Sequence, residues 1–296
     1  MSSYRFCRTD DVALLVDALN RCWSPYFPDE PPVTPATFKR SIRDLQVWCS
    51  SCMVAFSGSD PIGVLIGAKR PSGTLVHRIA VHPDHRRQGH GHHLLASLSS
   101  KLAILGPPRM VAEVPETLAV ARELFSASGY VQETLLTDYV FHPTAHTTRL
   151  GGPGQPDENT ARELGFVIPV TVDDLAANGL LGATDPQVCW ERSAEALTAR
   201  KDDLAGLAVA SDERIEAYLL YADRGAEGTE ILSLRSFIED GGARLTQLLS
   251  HLRARALGTF RFSKVHPAEI SQQGLESLGF RASGGHLLYT AKARSA

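Results

Sequence analysis

The sequence is poor in lysine, in cysteine and in long apolar runs. Of 30 basic residues only Lys39, Lys69, Lys101, Lys201, Lys264 and Lys292 are lysines, which leaves 24 arginines and the composition of a high-GC bacterial genome. The five cysteines, Cys7, Cys22, Cys49, Cys52 and Cys189, are odd in number and too few to staple 296 residues. That excludes a disulfide framework and suits a reducing cytoplasm, so a cytoplasmic location is expected. Apolar runs such as residues 53–56 and 64–66 fall far short of the roughly 20 residues a membrane helix needs, so no membrane partner is expected. The start of the chain carries Arg5, Arg8, Asp10 and Asp11 and no apolar stretch, which argues against a signal peptide. A net charge of −3 argues against a nucleic-acid surface spread over the chain.

What the sequence does have is core. Hydrophobic residues make up 43% and charged residues 21%, and 296 residues suit two domains better than one. The clearest break is 144–163, a stretch of Gly, Pro and small polar residues with no apolar period, which reads as a linker. It divides the chain into a domain at 1–143 and a second at 164–296.

The first half alternates strand and helix signals. Strands are expected at 4–8, 52–57, 62–69, 74–81, 110–114 and 130–141, and helices at 9–22, 35–45, 89–105 and 117–128. Turns at 58–61 and 70–73 make the central strands hairpin-connected and antiparallel. The second half repeats much of that order, with helices at 190–203, 242–257 and 269–277 and strands at 207–210, 215–221, 230–234, 260–265 and 286–292. Both halves end a helix on glycine and an aromatic, Phe125 to Gly129-Tyr130 and Leu275 to Gly279-Phe280. The expected fold class is therefore α/β of the α+β type, two tandem copies of one fold. Each is a mixed, mostly antiparallel twisted sheet flanked by helices.

Chemistry concentrates between residues 75 and 95. A strand carrying Ile79, Ala80 and Val81 ends at His82-Pro83. The turn Arg86-Arg87-Gln88-Gly89-His90-Gly91-His92 follows, and a leucine-periodic helix begins. The N–H groups that open a helix lack intrahelical partners and sit at the positive end of its dipole, and glycines at 89 and 91 let a ligand come close to the backbone. This makes a cradle for a pyrophosphate. The pattern Arg/Gln-x-x-Gly-x-Gly arises by chance roughly 0.2 times in such a composition, so its placement between strand and helix is what gives it weight. It matches neither the Gly-x-Gly-x-x-Gly of a dinucleotide fold nor a P-loop ending in Lys-Ser/Thr.

The segment from Ile79 to Gly91 resembles the acetyl-CoA-binding motif of the GNAT N-acetyltransferases, and the resemblance extends over most of residues 3–142. It implies that the backbone of Ile79, Ala80 and Val81 pairs with the pantetheine arm. It also implies that Arg86, Arg87, Gln88, Gly89, His90, Gly91 and His92 hold the pyrophosphate, and that a splay between this strand and 110–114 admits the acyl group. The implied reaction is acetyl transfer from acetyl-CoA to an amine in a ternary complex, since no cysteine stands in the motif to carry the acyl group.

A primary amine of pKa near 10 is about one part in a thousand neutral at pH 7, a deficit on the order of 4 kcal/mol, so a base is useful. Glu113 matches the position where some members carry a catalytic Glu. His77 shares side-chain parity with Leu75, Ile79 and Val81 and is a second candidate facing the acceptor. The chain departs from the family at Phe125, where a proton-donating Tyr is frequent, and at Leu118, where an Asn is. Leaving-group protonation then falls to solvent or Tyr139, or the thiolate leaves unassisted. These departures motivate the alternative of a non-catalytic acyl-CoA sensor or assembly module.

The second half lacks the loop pattern and carries Glu239 and Asp240 where a pyrophosphate would sit, so it reads as a degenerate GNAT-like copy. Elsewhere, Cys49 and Cys52 read as incidental thiols. The histidines around the loop read as a solvated helix start, so no metal is expected. The loop from Trp23 to Glu30 lies beside the expected acceptor entrance, as a selector for a cationic amine or as an apolar plug with a polar rim. A homodimer is compatible with the sequence.

Overall fold

The computed structural model describes residues 2–143, 165–181, 188–256 and 258–294, and the expected linker lies outside the described residues. The chain runs through β1 (Ser2–Phe6), α1 (Val12–Cys22), α2 (Pro35–Leu45), β2 (Met53–Ser57) and β3 (Asp60–Arg70). It continues through β4 (Gly73–Val81), α3 (His90–Leu105), β5 (Arg109–Pro115), α4 (Ala119–Ala127) and β6 (Val131–Phe141). There follow β7 (Phe166–Val170), α5 (Val172–Ala177), α6 (Ala194–Ala199), β8 (Ala205–Ala210) and β9 (Ile215–Asp223). Last come β10 (Thr229–Ser236), α7 (Ala243–Arg255), β11 (Phe260–Val265), α8 (Gln272–Ser277) and β12 (Arg281–Lys292).

Local chemistry explains several boundaries. Helix α2 starts at Pro35 because Thr34 and Thr37 form a reciprocal capping box and proline fits the first helical position. The single helix expected over 190–203 is broken into Trp190–Arg192, α6 and Lys201–Asp203. Ser193 restarts the helix there, its hydroxyl accepting from the Ala196 N–H at 3.3 Å.

The chain forms two compact units, residues 1–134 with 286–296, and residues 135–285. In the first, the strand order is β1-β2-β3-β4-β5 followed by the end of β12, antiparallel except for the parallel β4–β5 pair. The second repeats it as β7-β8-β9-β10-β11 followed by the end of β6, with β10–β11 parallel. The sixth strand of each unit therefore comes from the other half of the sequence. This cuts across the expected division at 144–163: His286 to Lys292 complete the first sheet, and Thr137 to Phe141 complete the second. A strand's alternation fixes which side chains it buries and leaves open which sheet edge it joins, so each half reads as self-contained.

In the first unit α3 lays Leu94, Leu95, Leu98 and Leu102 against Met53, Leu65, Val76, Met110 and Ala112 on one sheet face. Burying each of these leucines contributes about 1.5–3 kcal/mol. The opposite face carries the buried Val54, Val64 and Ile66, and α1 packs on β3 with Leu15 and Leu19 inside. The second unit has its own core around Leu219, Leu248, Phe260 and Phe262. No helix among the described residues is long and apolar enough to cross a membrane.

Candidate functional site

Strands β4 and β5 are paired only at Thr74–Met110 and Leu75–Val111, after which they separate. The cause lies in β4. On β3, Ile66 and Gly67 are consecutive, yet they face Arg78 and Val76, so His77 is an extra residue forming a β-bulge. A bulge bends its strand and raises its twist, and this one stands where the parallel pair ends. Beyond it, the His82 N–H donates to the Ile62 carbonyl at 2.8 Å. Residues in an antiparallel ladder alternate in the edge they bond, and Ala80 and Arg78 stand opposite Val64 and Ile66. The N–H and C=O of Ile79 and Val81 are therefore directed away from β3, to the side where β5 has parted. The Val81 carbonyl accepts the Tyr26 hydroxyl at 2.6 Å.

The strand leads into the loop 82–89 and then α3. Arg87 (φ 61) and Gly89 (φ 83) are both in the left-handed region, and Gly89 caps α3 with no side chain bonded to its first N–H groups. A Cβ on Gly89 would meet nothing within 4 Å, so the helix start is open. Gly91 differs: a Cβ there would lie 3.1 Å from the Leu124 side chain, so this glycine lets α3 approach α4 rather than admitting a ligand. Arg87 and Gln88 are exposed, and Arg86 is half-buried with its guanidinium 5.4 Å from the Tyr26 ring centroid. The His90 side chain turns inward, where it is buried and its Nδ1 lies 2.6 Å from the Tyr4 hydroxyl. Burial, followed by the charges of His85 and His93, holds its pKa below the ordinary histidine value. Its imidazole is thus part of the core, and only its backbone borders the open helix start. His92 Nδ1 lies 3.2 Å from the Ser128 hydroxyl.

The model of the acetyltransferase (GNAT) family matches residues 13–130. The full chain has the fold of tandem GNAT proteins. It aligns with a tandem GNAT protein from the clavulanic acid biosynthesis pathway over 100% of both chains, at TM-score 0.66 and 16% identity. A GCN5-related N-acetyltransferase from Sphaerobacter thermophilus aligns over 99% of this chain and 96% of its own, at TM-score 0.65 and 12% identity. A putative acetyltransferase from Pyrococcus horikoshii aligns over 99% and 90%, at TM-score 0.63 and 13% identity. No curated protein sequence matches the chain.

In the first unit, Glu113 lies on β5 opposite Leu288 of β12, two residues past the last β4–β5 pair. Its neighbours Ala112 and Val114 pack under α3 and α4, so alternation puts Glu113 on the opposite face. The parity expected for His77 does not hold. Val76 and Ile79 both pack on the α3 side, so the bulge at His77 inverts the alternation and Leu75 and Ile79 lie on different faces. The signal missed was register, which a single strand does not display.

The loop from Trp23 to Glu30 is ordered by its own aromatics. Trp23 and Phe27 stack at 4.4 Å, and the Arg78 guanidinium lies 5.0 Å from the Trp23 ring centroid. Glu30 accepts from the Trp23 indole at 3.1 Å and lies 3.9 Å from Arg78, so acid and base face the same aromatic. Cys49 and Cys52 are buried free thiols whose pKa burial pushes up, the wrong direction for a metal ligand or redox nucleophile. No cluster of metal-ligating side chains occurs among the described residues. A cavity of about 180 Å³ lies near Leu95, Ser99, Tyr130 and Lys292, and its lining includes neither Ile79 to Val81 nor Arg86 to Gly91.

The second unit repeats the scaffold. Strands β10 and β11 pair only at Thr229–Phe260 and Glu230–Arg261, and Leu232 is the bulged residue on β10. Counted from these pairs, Leu232 stands where the first unit has His77, and Ser263 where it has Glu113. Gly242 (φ 86) caps α7 as Gly89 caps α3, but the loop before it, 237–242, is two residues shorter than 82–89. Asp240 fills the helix start, accepting from the N–H groups of Gly242 and Arg244, both at 3.0 Å, and from the Arg244 guanidinium at 2.8 Å. Burial pushes the Asp240 pKa up, but these bonds outweigh it and hold the group below the ordinary value. Beside the parted strands, Arg192 pairs with both oxygens of Glu269 at 2.6 and 2.7 Å and donates to the Lys264 carbonyl of β11 at 2.9 Å. Their side chains are 3% and 2% exposed. The space left among Arg192, Tyr218, Ser233, Arg235 and Glu269 is a cavity of about 20 Å³, room for a water molecule.

Proposed function

We propose that the first unit is an acetyl-CoA-dependent N-acetyltransferase acting on a primary amine by direct attack in a ternary complex. One observation carries the reading: the parted β4–β5 pair runs from the bulge at His77 to the uncapped start of α3 at Gly89. Along it, the outward backbone of Ile79 and Val81 suits the amides of the pantetheine arm. The loop N–H groups from Arg87 to His92 and the Arg86 guanidinium suit the pyrophosphate. Binding there moves the Tyr26 hydroxyl off the Val81 carbonyl, since both are directed at one acceptor atom.

Glu113, on the face opposite α3, takes the proton of the incoming ammonium directly or through water. The neutral nitrogen attacks the acetyl carbon; the C–N bond forms and the C–S bond breaks with its electron pair leaving on sulfur, the nitrogen gives its surplus proton to solvent, and the thiolate takes one from solvent as CoA leaves. His77 at the bulge is a positioning residue for the acceptor. The second unit binds no CoA and has a scaffold role.

Incubation with acetyl-CoA and a panel of primary amines, following free thiol and acetylated amine together, tests the reading. Equal release of both is the expected result. Acetyl-CoA binding without turnover on any amine favours the acyl-CoA sensor, a reading to which Phe125 lends weight because it has no proton to give.

A further inference from the structure

We infer that the acceptor is an amine carrying a carboxylate of its own, an amino acid in the chemical sense, and that Arg78 binds that carboxylate. The inference rests on the acetyl-transfer reading above and names its class of acceptor.

Register puts Arg78 at the gap. It stands directly opposite Ile66 on β3, and directly opposed residues share a face. Leu65 packs on the α3 side, so alternation puts Ile66, and Arg78 with it, on the other side. Glu113 lies on that same face. Counted from the last β4–β5 pair, Leu75–Val111, Glu113 is two residues along β5 and Arg78 is three along β4. The extra residue is the bulged His77. The bulge therefore brings Arg78, in place of His77, level with Glu113 across the parted strands. Re-aiming a side chain beside a site is a recurrent use of a bulge.

The guanidinium is held without a matching carboxylate from the loop. The Arg78 side chain is 28% exposed, and its cation lies 5.0 Å from the centroid of Trp23, whose ring is backed by Phe27. Glu30 Oε2 approaches Arg78 only to 3.9 Å, beyond hydrogen-bond length. Glu30 thus offsets part of the charge and does not form the two parallel N–H···O bonds that an arginine fork makes with a carboxylate. A carboxylate on the acceptor supplies them.

This arrangement sorts acceptors by charge. A zwitterion sets its ammonium toward Glu113 and its carboxylate toward Arg78, so each end meets the opposite sign. A simple amine or a diamine brings a further cation beside Arg78 and leaves the fork empty. A phosphorylated amine brings about two negative charges to a face that already holds Glu30 and Glu113, against one guanidinium. A protein N-terminus carries an amide beside its amine, which cannot accept as a charged fork partner.

The test uses the full chain and acceptor pairs that differ only in the carboxylate: lysine with cadaverine, phenylalanine with phenethylamine, and β-alanine with ethylamine. Rates are referred to the concentration of neutral amine. In a pair that is turned over, kcat/KM is expected to be at least about tenfold higher for the amino acid, as a charge-assisted bond to carboxylate provides. Arg78→Met is expected to bring that ratio to within about twofold of one, and Arg78→Lys, which keeps the charge and loses the fork, to an intermediate value. Partial unfolding of a variant lowers both members of a pair and leaves the ratio unmoved, so the ratio reports recognition alone. The inference is overturned if wild type shows no preference for the amino acid in any pair it turns over, or if the preference survives in Arg78→Met. If wild type acetylates neither amino acids nor simple amines, the acetyl-transfer reading itself fails; if it acetylates simple amines as readily as amino acids, only the role of Arg78 does.

Discussion

In both units the parallel strand pair is held by two residue pairs, bends at a bulge, and leads to a helix capped by a left-handed glycine. What stands in that frame differs. The first unit leaves the helix start without a side-chain cap, while the second supplies its own anion, the Asp240 carboxylate. The first has His77 and Glu113 around the gap, where the second has Leu232 and Ser263 and closes the space with the Arg192–Glu269 pair. The backbone that opens a GNAT-like gap is thus separable from the side chains that use it. A degenerate copy keeps the frame by filling it with internal partners of matching charge.

The comparison breaks most visibly at Arg192. Removing one member of a buried pair leaves the other charge uncompensated, at about 3–5 kcal/mol. Arg192→Met is expected to lower stability by about that much in a denaturant titration while the acetyl-CoA Kd stays within a fewfold. A variant that loses acetyl-CoA binding with its fold intact sinks the assignment of separate roles to the units.

Next in size is Glu113→Gln. Loss of a general base typically costs a hundredfold or more, about 2.7 kcal/mol, in kcat/KM at pH 7. The deficit should shrink as pH approaches the amine pKa, where the nitrogen is already neutral. A deficit that is constant with pH removes Glu113 from this role.

Smaller again is Asp240→Asn. Losing the charge that caps α7 should cost about 1 kcal/mol. The folded-state pKa of Asp240 lies below the unfolded value near 3.9. Its contribution is therefore present in full above pH 4–5 and lost as pH falls through the folded value. Wild type and variant should converge in thermal midpoint once the pH falls below that folded value. A gap that widens toward acid pH has the wrong sign. The smallest effect is expected from His77→Leu, which gives the first unit the residue of the second and should change KM for the acceptor more than kcat.

Much of this was legible in the sequence because it is local. The caps, the hairpins, the leucine stripe of α3 and the Gly89 loop depend on neighbours within a few positions, and α2 and β11 fall on the expected residues. What stayed hidden depends on pairing at a distance. The exchange of β6 and β12 is invisible to alternation, and the bulge at His77 exists only against Ile66 and Gly67 of β3. The inward turn of His90 toward Tyr4 needed the packing of α3 on β1, and Arg192 with Glu269 are 77 positions apart. Composition did show the shortened, acidic loop of the second half, although not that Asp240 acts there as a cap.

The direct test of the division between the units is the stoichiometry of acetyl-CoA binding by calorimetry, on the wild-type chain and on Gly89→Glu and Gly242→Glu. Each substitution puts a charged side chain at a left-handed helix cap, at about 1 kcal/mol of backbone strain. Expected are one acetyl-CoA per chain, a Kd weakened at least a hundredfold by Gly89→Glu, and no change with Gly242→Glu. Two molecules bound per chain, none, or undiminished binding by Gly89→Glu would contradict it.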